Sequence, residues 1–214
     1  MKKMEQFDLF GKVKKNNSMN KIKVGLNKIN NGELVFKPDF FNSDESKYFL
    51  ENLKNTILWK QESMNMYGKR INFPRLTSWY GENDKFYSYS GIKCSPNPWT
   101  NDLIEIKQKI DIISNNSFNS VLLNLYRDGK DSMSWHTDAE KELGKNPIIA
   151  SVNFGATRKF QLRHLKTKEK LELELSNGSL LIMQGELQHY WEHQIPKTKT
   201  PVSERINLTF RVIQ

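Results

Sequence analysis

From Phe118 to its end the chain is a succession of short alternating runs broken by Gly, Asn and Pro, a pattern that restricts it to a β-sandwich or barrel. The predicted strands cover 119–126, 148–154, 158–164, 169–175, 179–183 and 204–213. The last is the most regular: Ile206, Leu208, Phe210 and Val212 make one apolar face, and Arg205, Asn207, Thr209 and Arg211 share the other. Such a strand is either an edge strand turned to water or one facing an interior that holds an anion. The same division recurs over 121–126, with Val121, Leu123 and Leu125 on one face and Asn124 and Tyr126 on the other. Asn177-Gly178, flanked by Leu171, Leu173 and Leu175 and by the apolar run 180–183, predicts a β-hairpin.

Ahead of this half the apolar period becomes helical twice. Asn42 or Ser43 caps a segment with Asp44 and Glu45 in its first turn and Phe49, Leu50, Leu53 and Ile57 on one stripe, predicting a helix to about residue 56. Thr100, after Pro98, caps a second helix over 101–113, with Asp102 and Glu105 near its start and Leu103, Ile106, Lys107 and Ile110 as its packing face. The first ~30 residues are rich in Lys and Asn with little periodicity and predict a mostly unstructured tail, with order beginning near Leu34.

A chain of 214 residues suffices for one sizeable core but not for two full domains with a linker. It has neither the run of about 18 apolar residues that a membrane span needs nor a secretory h-region, so the expectation is a soluble, intracellular protein. The single cysteine, Cys94, excludes an internal disulfide and a thiolate cluster; any metal must be held by His, Asp or Glu. The formal net charge is +9, and residues 1–28 hold eight lysines against two acids. A polyanionic partner suits that balance. The lysine-rich stretch reads as an arm that tethers the protein to nucleic acid or as a solvated terminus.

Of the four histidines, His136 stands in an H-x-D pair with Asp138. In extended chain, residues two apart share a face, so this imidazole and carboxylate can bind one ion together. The pair alone arises often by chance. His189 and His193 are four apart and could equally be a zinc pair. His164, within Arg163-His164-Leu165, reads as structural or solvated. Two His and one Asp leave three open positions on an octahedral iron(II), and the polar faces of two strands could hold an anionic co-ligand. Arg205 and Arg211, about 20 Å apart at about 3.3 Å per residue, could reach opposite ends of one dicarboxylate by leaning inward.

The residues Asn124-Leu125-Tyr126, His136-Thr137-Asp138-Ala139-Glu140, Ser151-Val152-Asn153-Phe154-Gly155-Ala156-Thr157-Arg158, Trp191-Glu192-His193 and Arg205-Ile206-Asn207-Leu208-Thr209-Phe210-Arg211 together resemble the AlkB family of dealkylating dioxygenases. The likeness extends back through Pro74-Arg75-Leu76-Thr77-Ser78-Trp79-Tyr80-Gly81 and Tyr87-Ser88-Tyr89-Ser90-Gly91 to about Leu34. It implies an α+β, mainly β fold: a double-stranded β-helix (jelly-roll) core with N-terminal helices packed outside and a β-hairpin substrate lid. The implied organisation is a basic tail over 1–33 and a dioxygenase domain over 34–214, of which 34–99 carries the lid and first helix.

The same resemblance implies that His136, Asp138 and His193 bind Fe(II), and that Asn124, Tyr126, Arg205, Asn207, Thr209 and Arg211 surround 2-oxoglutarate, with Arg205 on the far carboxylate. His189 then falls outside the ligand set. Tyr87, Tyr89 and the His136 ring stack on an extruded base, and Glu140 faces a cationic lesion such as 1-methyladenine or 3-methylcytosine. Tyr67, within Met66-Tyr67-Gly68-Lys69, stands where relatives carry a finger phenylalanine; Arg75 supports the base pocket, and Lys69 and Arg70 meet phosphates. Ala139 departs from relatives that carry a second acid beside the iron-binding aspartate. The implied reaction uses Fe(II), 2-oxoglutarate and O2 to dealkylate bases in DNA, releasing formaldehyde, succinate and CO2. The implied protein is a monomer, cytoplasmic in a bacterium or nuclear in a eukaryote. The alternatives are an RNA base demethylase and a non-catalytic nucleic-acid-binding module.

Overall fold

Strands with two unlike faces decide how this chain layers. The structure, a computed structural model, describes residues 20–66, 68–82, 87–89 and 92–214. In chain order its elements are β1 (Asn20–Lys21), β2 (Gly25–Ile29), β3 (Gly32–Lys37), α1 (Ser43–Thr56), β4 (Ser63–Met66), β5 (Lys69–Asn72), β6 (Leu76–Gly81), β7 (Tyr87–Tyr89) and β8 (Ile92–Cys94). Then follow α2 (Asn101–Ser114), β9 (Ser120–Tyr126), β10 (Met133–His136), β11 (Ile149–Gly155), β12 (Arg158–His164), β13 (Lys170–Leu175), β14 (Ser179–Gln184), α3 (Leu187–Tyr190), β15 (Trp191–Ile195) and β16 (Arg205–Arg211).

A seven-stranded sheet in the order β2-β3-β14-β11-β16-β9-β6 faces a five-stranded sheet in the order β1-β13-β12-β15-β10. β4 with β5 and β7 with β8 form separate hairpins. The result is the jelly-roll core that the sequence implied, mainly β with helices outside.

The outer face of the large sheet is apolar because β9, β11 and β16 alternate: Leu123, Val152, Phe154, Ile206, Leu208 and Phe210 are buried there against Phe49 and Leu53 of α1 and Leu103, Ile106 and Ile110 of α2. Both helices start where the caps predict. Asn42 Oδ1 accepts from the Glu45 amide while Glu45 Oε2 accepts from the Asn42 amide, each at 2.9 Å, a reciprocal cap worth about 1 kcal/mol. Thr100 Oγ1 accepts from the Leu103 amide at 3.3 Å. Lys107 is part-buried on α2 and its head pairs with Asp111 at 2.6 Å, because a charged group within reach of a carboxylate stays at the rim. Between the sheets a second cluster, including Phe36, Phe160, Leu162, Leu173, Leu181, Met183 and Trp191, fills part of the space. A cavity occupies the rest.

Two expectations need correction. The stretch before Leu34 is not all loop: β1, β2 and the start of β3 lie in it, β2 as an edge strand paired, among the described residues, with β3 alone. An edge strand with one half-exposed face needs little apolar alternation, so Lys-Asn composition hid it. Asn177-Gly178 does not close a hairpin. β13 pairs with β12 and β14 with β11 and β3, so the turn carries the chain from one sheet to the other. Gly178, at φ +75°, makes the corner by donating its amide to the Asn153 carbonyl and accepting from the Phe41 amide.

Candidate active site

β10 and β15 run antiparallel with His136 and His193 directly opposite, so strand pairing alone brings their rings to 4.2 Å between centroids. Asp138 lies just past the end of β10, with Oδ1 3.9 Å from His136 Nε2. One ligand atom from each of the three lies within 4.8 Å of the others. Among the described residues this is the one cluster of His, Cys, Asp and Glu with that geometry. His136 Nδ1 sits 2.8 Å from the Ser134 carbonyl oxygen, which it meets as a donor, leaving Nε2 with its lone pair toward the cluster. Among the described residues the buried Nδ1 of His193 has no hydrogen-bond partner.

Electrostatics keep these groups ready for a cation. Burial would raise the Asp138 pKa, but the charge of Arg211 and the neighbouring imidazoles outweigh it and hold it at about 2. Burial pushes His193 down to about 3, assisted by His136 and Arg211 against the pull of Asp138. A carboxylate and a neutral imidazole are the forms a metal needs.

The opposing wall comes from the large sheet, where the polar face of β16 turns into the cleft. Arg205 pairs across the ladder with Tyr126, and Asn207 with Asn124 on β9 and Asn153 on β11. Arg205 is 1% exposed; its Nη2 donates to Asn153 Oδ1, while Nε and Nη1 are buried without an acceptor among the described residues, against the Tyr126 ring, 4.9 Å away. Burial lowers its pKa to about 10, still a cation at neutral pH. A buried guanidinium with two idle donors fits a carboxylate. Asn207 Nδ2 donates to Ser151 Oγ at 2.9 Å, and Thr209 Oγ1 to Asn207 Oδ1 at 3.2 Å. Arg211 donates from Nη2 to Asp138 Oδ1. All three metal-ligand candidates and Asn124, Tyr126, Arg205, Asn207, Thr209 and Arg211 line one cavity of about 300 Å³, a size that suits a small ligand. The donor set therefore fits an octahedral iron(II) with a chelating anion beside it.

The substrate end is partly described. Glu140 lines the cavity. Arg75 lines it too, but is buried: Nε donates to Asn124 Oδ1 at 2.7 Å, so it also supports the anion wall. Lys69 is exposed on β5 and is not among the lining residues, and Arg70 donates to Ser63 Oγ. Tyr67 lies outside the described residues. Tyr87 and Tyr89 belong to β7, paired with Cys94 and Ile92, and their side chains lie outside the description.

The other histidines are elsewhere. His164 accepts at Nδ1 from the Lys166 and Thr167 amides, a structural role, and His189 meets the Lys145 carbonyl. Residues not singled out individually beforehand include Ser151 and Asn153, which hold Asn207 and Arg205, and Gln188, whose Oε1 accepts from the Asp138 amide at 2.9 Å. The alternation of Ser151 and Asn153 with Val152 and Phe154 carried the same two-faced signal as β16; nothing local marks Gln188.

Over 186 residues the chain is 41% identical to the human alpha-ketoglutarate-dependent dioxygenase alkB homolog 3, an alignment covering 82% of this chain and 64% of that one. It is 37% identical over 156 residues to the bovine DNA oxidative demethylase ALKBH2, covering 69% and 56% respectively. The chain thus spans less than two thirds of the length of either relative. The solved structure of OsALKBH1 shares the fold, with a TM-score of 0.62 at 16% identity over 86% of this chain and 100% of that one. The family described as the 2OG-Fe(II) oxygenase superfamily matches residues 33–211, from β3 through the last residue of β16, and so takes in every ligand candidate. With the facing histidines, the aspartate and the inward arginines in that span, the chain belongs to this superfamily and, within it, to the AlkB family.

Proposed function

We propose that the chain oxidatively dealkylates N-alkylated nucleic-acid bases, with His136, Asp138 and His193 holding Fe(II) and with Asn124, Tyr126, Arg205, Asn207, Thr209 and Arg211 holding 2-oxoglutarate. The observation that carries this reading is the pairing of the His136–Asp138–His193 cluster with the idle donors of Arg205 in one cavity. Iron and 2-oxoglutarate, when bound, supply the power to oxidise an N-alkyl carbon with O2, releasing formaldehyde, succinate and CO2.

The chain's own residues position and insulate that chemistry. Arg205 binds the far carboxylate of the dicarboxylate, oriented by Asn153 and the Tyr126 ring. Arg211 keeps Asp138 ionised and aimed. Phe160, Leu175, Met183 and Ile195 form an apolar wall that limits water. Glu140, on the lining, favours a cationic methylated base. The name of the bovine relative, a DNA oxidative demethylase, supports DNA as the substrate. The lysines of residues 1–28 suit contact with phosphates.

The test uses methylated single- and double-stranded oligonucleotides with iron(II), 2-oxoglutarate and ascorbate. Formaldehyde release that Asp138→Ala abolishes is the expected result. Succinate formed without any change in the oligonucleotides would overturn the substrate and keep the cofactors.

A further inference from the structure

Asp138 lies beyond the last residue of β10, where no ladder partner among the described residues takes its amide. That N–H donates instead to Gln188 Oε1 at 2.9 Å, from a residue 50 positions later. Gln188 is 2% exposed and belongs to α3, the four-residue helix inserted between β14 and β15. Its Nε2 meets Met183 Sδ at 3.8 Å, a weak acceptor. The amide can point one way only: a flip would set Nε2 against the Asp138 N–H, donor against donor.

The carboxylate of Asp138 has two attractions, the facing imidazoles and the Arg211 guanidinium at 2.9 Å. Arg211 holds only one oxygen, Oδ1, so a freed backbone would let the carboxylate pivot about that contact and draw back from the imidazoles. We propose that Gln188 is a positioning residue of the metal centre, its side-chain carbonyl fixing the Asp138 backbone so that the carboxylate stays turned toward His136 and His193. The inference rests on the metal-binding reading above. Outer partners of this kind typically change metal affinity about 10–100-fold when removed.

Gln188→Met keeps the length, packs against Met183 and removes the acceptor. In the full chain, Mn(II) titration followed by electron paramagnetic resonance should show the dissociation constant rising about 10–100-fold. Exchange of the Asp138 amide with solvent should quicken, and the unfolding temperature of the metal-free protein should hold. An unchanged Mn(II) affinity, or a loss matched by a drop in metal-free stability, would overturn the positioning role. If the unmodified chain fails to bind Mn(II), the iron reading fails first and this inference with it.

Discussion

Arg211 donates from Nη2 to Oδ1 of Asp138 at 2.9 Å, so the carboxylate that faces the two imidazoles is already engaged by a buried cation. The guanidinium offsets the burial of the carboxylate and keeps it charged before any metal arrives.

The metal-free protein should weaken in acid. The folded pKa of His193, about 3, lies below the value of about 6.5 in an unfolded chain. Between these values the unfolded state binds the proton and the folded state does not, so stability is full above about pH 6.5 and declines toward pH 3. Asp138, held at about 2 against about 3.9 when unfolded, adds a loss of the same sign at lower pH. The His193 contribution is on the order of a few kcal/mol across the window. Urea denaturation at stepped pH checks it: His193→Asn should flatten the curve between pH about 6.5 and 4, and a flat curve for the unmodified chain counts against it.

Arg205→Met should separate stability from binding. Removing a buried guanidinium with two idle donors relieves the unliganded fold, raising its unfolding temperature by about 2–5 °C. The 2-oxoglutarate dissociation constant, measured calorimetrically with Mn(II) present, should rise by about 10- to 100-fold. A lower unfolding temperature together with weaker 2-oxoglutarate binding would show that Arg205 is needed for folding.

Arg75→Met should affect both ends of the cavity. Its Nε holds Asn124 Oδ1 at 2.7 Å, so the loss should weaken 2-oxoglutarate by about tenfold, about 1.4 kcal/mol, besides slowing turnover of oligonucleotides. Calorimetry without nucleic acid reads the first effect alone. Unaltered cosubstrate affinity would confine Arg75 to the base pocket.

Gly178→Ala should destabilise the fold by at least about 2 kcal/mol, through the positive φ and a methyl that would approach the Phe41 carbonyl oxygen to 2.4 Å. Chemical denaturation measures it; a loss within about 0.5 kcal/mol would mean that the corner relaxes freely.

The strands that could be read directly were β9, β11, β12, β13, β14 and β16, each an apolar run bounded by turn residues; β9, β11 and β16 also declare a polar face, because Leu123, Val152 and Leu208 are followed by Asn124, Asn153 and Thr209. β10 and β15 escaped because each is short and presents a histidine where a core residue would stand. The Asn177-Gly178 turn was misassigned for a physical reason: alternation on both sides looks the same whether the chain folds back within a sheet or crosses to the other. His136 and His193 are separated by the whole of β11–β14, so nothing local announces their meeting; only the resemblance supplied it. The polar faces of β9 and β16 were legible as an anion wall, whereas the link from Gln188 to Asp138 depends on tertiary placement.

Because His136 and His193 are cross-strand partners, the ion's seat records how β10 and β15 were zipped. A slip of one residue would present Glu192 or Gln194 to His136 and turn His193 to the opposite face. A captured cation would thus stabilise only the ladder threaded in this register.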